Sequence, residues 1–171
     1  MTLLPNATGT STFWTAVGEG THHECLDDDN GATSYVKCAG HLRFLELEFA
    51  NPSVAEEDIA SITSLRFLSS GKSAHRTDPS LAAVAYLVPS GNINQAVSYD
   101  AHRSDFETIN GNARIYSDGV GSTAWTYSDL ENLEMKIVKT QTIELYLSYF
   151  AMEVKYVSAV TDNATFFGAN F

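Results

Sequence analysis

Apolar residues along this chain recur in short runs rather than at helical spacing. The runs are rich in β-branched and aromatic residues and are separated by clusters of Gly, Asn, Asp, Pro and Ser. That pattern predicts strands over Thr12 to Val17, His22 to Leu26, Thr33 to Cys38, His41 to Phe49, Ile62 to Ser69, Leu81 to Val88, Ala96 to Tyr99, Phe106 to Ile109, Ala113 to Tyr116, Leu133 to Lys139 and Thr142 to Tyr156. Strands of this number and spacing imply an all-β chain folded as a two-sheet antiparallel β-sandwich, jelly-roll-like. Leu133, Met135 and Ile137 line one face of their strand against Glu134 and Lys136 on the other. In the last strand Ile143, Leu145 and Leu147 share one parity, and Phe150, Met152, Val154 and Tyr156 the opposite one. A bulge or bend near Ser148-Tyr149 is therefore expected.

Turn chemistry agrees with this reading. Asn30-Gly31 and Asn110-Gly111 are dipeptides that supply the positive φ of tight hairpins. Ser128 and Glu131 fit a capping box opening about one helical turn before the Leu133 strand. The domain reading is an N-terminal arm over residues 1–11, a sandwich over 12–158 and a C-terminal arm over 159–171 that ends in Phe166, Phe167 and Phe171.

A chain of 171 residues suits one domain, and 44% hydrophobic residues suffice for a packed core. The formal net charge is −11 and Lys and Arg form no run, which disfavours nucleic acid as a partner. The N-terminus has no basic stretch followed by an apolar core, and no apolar run reaches membrane-spanning length, so neither secretion nor a membrane is indicated. Two cysteines in such a chain are expected as free thiols, although a bridge between neighbouring strands is possible.

The densest chemistry lies in HHECLDDDNG, His22 to Gly31. An EF-hand register with Gly31 at the sixth position puts Leu26 first and Lys37 twelfth, so both liganding ends fail. A looser calcium site on Asp27, Asp28 and Asp29 meets the objection that successive strand side chains point to opposite faces. His23, Cys25, Cys38 and His41 form the best zinc set, with two small buried thiols as the ordinary alternative. Gly71-Lys72-Ser73 ends like a phosphate loop, but Arg66 stands where its first glycine should be. The run Gly119 to Ala124 matches a dinucleotide fingerprint without the following helix. His75 and His102 come without a nucleophile elbow, so no active site and no cofactor is expected. Trp14, Trp125, Tyr86, Tyr99, Tyr116 and Tyr127 could form a sugar-stacking platform, against the reading that they fill core and rim.

Two stretches together carry a resemblance. The first is STFWTAVGEGTHHECLDDDNGATSYV. The second is Ala124 to Ile137, AWTYSDLENLEMKI, followed by a long strand ending AMEVKYV. Their order resembles β-sandwich virion proteins of tailed bacteriophages, found as head-decoration and tail-associated components, over most of residues 12–157. The resemblance implies a non-enzymatic capsid decoration or cement protein on the virion surface. Its partners would be the major capsid protein, itself and neighbouring decoration subunits. Phe166, Phe167 and Phe171 are then the candidate apolar anchors. The alternative is a carbohydrate-binding β-sandwich module of a tail fibre or spike.

Overall fold

The computed structural model describes residues 1–28, 33–73, 81–88, 93–99, 107–110, 124–139 and 144–159. Over 81–88, 93–99 and 107–110, and at Phe67 and Ser73, it describes the backbone alone. The strands are β1 (Thr2–Leu3), β2 (Pro5–Ser11), β3 (Thr15–Val17), β4 (Tyr35–Cys38), β5 (Arg43–Phe49), β6 (Ile59–Ser73), β7 (Leu81–Val88), β8 (Ile93–Tyr99), β9 (Glu107–Asn110), β10 (Glu134–Lys139) and β11 (Leu145–Ser158). One short helix, α1 (Tyr127–Glu131), precedes β10. They form two antiparallel sheets among the described residues. Sheet A runs β3-β4-β11-β6-β9 with β1 also on β11, and sheet B runs β2-β5-β10-β7-β8. Successive strands mostly change sheet, so the chain crosses the sandwich again and again, as in a jelly roll.

Alternation explains the core. Leu45, Leu47 and Phe49 of β5 and Met135 and Ile137 of β10 point from sheet B towards Val36, Cys38, Leu65, Leu145, Leu147, Phe150, Met152 and Val154 of sheet A. All of them belong to one buried cluster. The parity switch in β11 has the expected cause: the β11–β6 register slips between Leu147 and Tyr149, leaving Ser148 as the extra residue. Lys139 follows the inward parity of β10 and is fully buried, its Nζ donating to the Gly40 carbonyl at 2.8 Å. At that depth desolvation holds the ammonium below the usual lysine range.

Three expectations need correction. Residues 1–11 are not an arm but strands in both sheets. β1 pairs with β11 through Thr2↔Glu153, and β2 pairs with β5 at the edge of sheet B, where Pro5 costs no interior ladder bond. His22 to Leu26 is a turn rather than a strand. Glu24 Oε2 accepts from Thr21 N at 2.8 Å and from Thr21 Oγ1 at 2.7 Å, and Leu26 N reaches back to His23 O. Thr21-x-x-Glu24 is thus a capping box, and it winds the backbone tightly before any strand can form. The box on α1 lies two residues earlier than expected, with Thr126 as N-cap and Asp129 at N3. Trp14 and Trp125 are core residues, each about 6% exposed, as the core-and-rim reading of the large aromatics expects. The expected strand Ala113 to Tyr116, the Asn30-Gly31 turn and Gly111 lie outside the described residues.

Candidate functional site

Because Val36, Cys38, Leu145 and Leu147 point into the core, their neighbours on β4 and β11 point away from it. The register then assembles a row across sheet A. Thr15 of β3 faces Lys37 of β4, Lys37 faces Tyr146 of β11, and Tyr146 faces Lys72 of β6. One step along, Tyr35 packs edge-on against Tyr146, with ring centroids 5.7 Å apart at 61°. Beyond the bulge Tyr149 emerges on the same face, opposite Ser70. Tyr35, Lys37, Lys72, Tyr146 and Tyr149 are all partly exposed.

Contacts within the row fix its geometry. The Tyr146 hydroxyl donates to Glu144 Oε2 at 2.6 Å, which pushes its ionisation up to about 12 and keeps it a neutral donor. Lys72 Nζ lies 5.5 Å from the centre of the Tyr146 ring, within cation–π range. Farther down the face Arg66 and Glu153, directly opposite in register, form a 2.7 Å ion pair. By shifting parity the bulge places Tyr149 on the outer face that carries Tyr146 rather than in the core.

The outer face of sheet B is arranged differently. Lys136 Nζ bonds Glu46 Oε1 at 2.8 Å and sits 3.9 Å over the Phe44 ring, while Thr10 N donates to the other oxygen of Glu46. The Lys136 bond holds the Glu46 carboxyl below the usual range. Charge and ring are satisfied by each other there.

The zinc set does not assemble. His23 Nδ1 lies 3.1 Å from the hydroxyls of both Thr8 and Thr21, and the Cys25 thiol faces the carbonyls of Val17 and Glu19. Cys38 faces Gly40 O at the far end of β4, and His41 is exposed in the turn that follows. Both cysteines are free and buried, and burial pushes the Cys38 thiol up. Among the described residues the one group of three metal-capable side chains is Glu19, Asp27 and Asp28, with ligand atoms within 4.8 Å of one another. Asp27 and Asp28 sit in a bend, so the alternation that would separate them on a strand does not apply.

Tyr127, one of the rings weighed for a platform, is tied by its hydroxyl to Val54 O at 3.0 Å. The side chains of Tyr86 and Tyr99, all of Tyr116, and Phe166, Phe167 and Phe171 lie outside the described residues. Sequence reasoning passed over Tyr35, Tyr146 and Tyr149. The signal that finds them is their position one residue out of phase with core-facing neighbours.

No family model and no curated protein matches this chain. Among solved structures, the chain is similar to a family 16 carbohydrate-binding module-2 at 13% identity, with a TM-score of 0.45 over 82% of this chain and 85% of that one. It is also similar to the N-terminal cellulose-binding domain of Cellulomonas fimi β-1,4-glucanase C at 13% identity, with a TM-score of 0.38 over 87% and 97%.

Proposed function

We propose that this protein is a non-catalytic β-sandwich module that binds carbohydrate on the outer face of sheet A. The observation that carries the reading is the Tyr35–Tyr146 pair, two partly exposed rings flanked by Lys37 and Lys72 on a sheet whose other face is the core. Sugar rings present axial C–H groups that stack on aromatic faces, and their hydroxyls need donors and acceptors at the ring edge. Tyr146 with Glu144, and the two lysines, supply both. Rigid strands position the set, so little conformational freedom is lost on binding.

Affinity electrophoresis of the full chain against a panel of soluble polysaccharides tests this. At least one should retard the protein, and the double substitution Tyr35→Ala, Tyr146→Ala should abolish retardation while circular dichroism stays unchanged. Loss of two aromatic anchors costs about 2 kcal/mol or more each, roughly thirty-fold per ring. A protein retarded by nothing in a panel of neutral and acidic polymers would sink the proposal.

The virion setting is the second reading. Within the stretches that carry the phage resemblance, the apolar residues Trp14, Leu26, Trp125, Leu130 and Leu133 belong to the buried cluster and so serve the sandwich itself. Attachment to a major capsid protein shell through Phe166, Phe167 and Phe171 is a separate proposal. Deletion of residues 159–171 tests it: decoration of particles should collapse, whereas glycan retention by sheet A should survive.

A further inference from the structure

We infer that copies of this chain associate head to tail, the end of the sandwich that carries Phe13, Leu42 and Arg43 docking on the acidic end of the next copy. The inference stands apart from the carbohydrate reading. Phe13 and Leu42 are the two non-glycine residues with positive φ among the described residues, at 59° and 52°. They are also the two most exposed of the large apolar side chains described, at 73% and 63%. Thr12 N donates to Phe44 O at 2.8 Å and Phe44 N to Thr12 Oγ1 at 2.9 Å, while Trp14 is drawn into the core. The backbone between these two anchors turns left-handed at Phe13. Glycine or asparagine would make that turn at lower cost and show no apolar surface to water. Leu42 repeats the choice one residue before β5. Bulky side chains held outward twice, at a backbone cost, mark a surface that a partner covers.

Arg43 gives this end its charge. Its guanidinium lies 4.0 Å over the Phe13 ring, and its Nε is buried without a hydrogen-bond partner. Its stem rests on Gly40, where a Cβ would stand 2.7 Å from Arg43 Cγ. No carboxylate pairs with it among the described residues, and its neighbour across the ladder is Lys139. The other end of the same strand pair, about 20 Å away at strand rise, has the reverse character. Glu48 faces Glu134 there, like charge opposite like, and Glu56, Glu57 and Asp58 follow in the short turn before β6. None of these five acids is in an ion pair among the described residues, and the positive groups described at this end are Lys155 and the Met1 ammonium. Leu4, whose carbonyl accepts from Ala50 N, and Val157, opposite Ser61, are its exposed apolar residues.

The four large hydrophobics exposed among the described residues thus divide between the two ends, two beside unpaired positive charge and two beside negative charge. One end complements the other in apolar surface and in sign, and neither complements itself. Such a contact is heterologous, repeating from copy to copy, rather than a two-fold one that closes at two chains. The surface is small, so the association is weak and salt-sensitive.

Sedimentation equilibrium of the full chain at concentrations up to roughly 1 mM tests this. Average mass should rise steadily with concentration, without a plateau at two chains, and should fall back as salt shortens the Debye length below about 10 Å. The variant Phe13→Gly, Leu42→Gly, which suits the left-handed backbone, should associate roughly thirty-fold more weakly. So should Glu56→Gln, Glu57→Gln, Val157→Thr at the other end. Each variant keeps one intact end, so an equimolar mixture should form pairs and stop there. A wild-type chain that stays monomeric, a discrete dimer, or two weakened variants that do not pair when mixed overturns the inference. So does a monomeric chain that floats with phosphatidylserine vesicles through Phe13 and Leu42, which would make that end a lipid-binding tip. Unchanged circular dichroism in both variants makes a loss of association a loss of contact.

Discussion

Gly71 and Leu147 face each other across the central strand pair of sheet A at a distance no larger residue at position 71 can share. A Cβ on Gly71 would stand 2.8 Å from Leu147 Cδ2 and 2.8 Å from the Tyr146 carbonyl oxygen. The carbonyl belongs to the ladder and cannot swing away. Gly71→Ala is therefore expected to cost about 1–3 kcal/mol in urea denaturation, with the midpoint displaced and the slope unchanged. Because the push is delivered through Tyr146, polysaccharide retention should weaken along with stability.

Alkaline titration reports on Tyr146. Its folded-state pKa is raised from 10 to about 12, so between those values the folded chain holds a proton that the unfolded chain has released. The stability this contributes is complete below pH 10 and disappears as pH rises through about 12. Tyr146→Phe has no proton to lose and should flatten that part of the stability curve, as denaturant midpoints measured from pH 9 to 12 would reveal.

Lys139 is a test of buried charge. Lys139→Ala strips the donor from Gly40 O and opens space at the end of β10, which should cost about 2–4 kcal/mol. Lys139→Met keeps the volume and removes the charge, so it should fall within about 1 kcal/mol of wild type. Equal losses in the two variants would mean that the hydrogen bond outweighs desolvation.

Thiol chemistry follows from burial. Cys25 and Cys38 are both free and less than 2% exposed. Ellman's reagent should react with neither in the native protein and with two thiols per chain in denaturant. No reaction after denaturation would mean a bridge.

The sandwich was legible in the sequence wherever burial is one-sided. The Leu81–Val88 strand falls at its expected bounds, and the bulge at Ser148 follows from Leu147 and Phe150 both being core residues. What escaped was decided by polar contacts or by pairing at a distance. β2, PNATGTS, has no apolar alternation, because an edge strand is held by its ladder with β5 rather than by a buried face. His22 to Leu26 contains the residues of a strand, but Thr21 and Glu24 close a turn on it first. The Tyr35–Tyr146 pair joins residues more than a hundred positions apart, and only the β4–β11 register reveals it. The tryptophans, by contrast, went where the core-and-rim reading put them, because their large apolar area favours the interior.

The pairing of β1 with β11 also has a kinetic side. The Met1 ammonium bonds Val154 O at 2.9 Å, and Val154 N returns a bond to Met1 O, across 153 positions. During synthesis β1 must wait until the chain has reached Glu153 before its partner exists, and β5 likewise waits for β10. Contacts of such long range place the protein among slow folders, with roughly milliseconds to seconds rather than microseconds as the natural scale. β11 is then the element that completes both the core and the outer face of sheet A, so neither exists until it has been made.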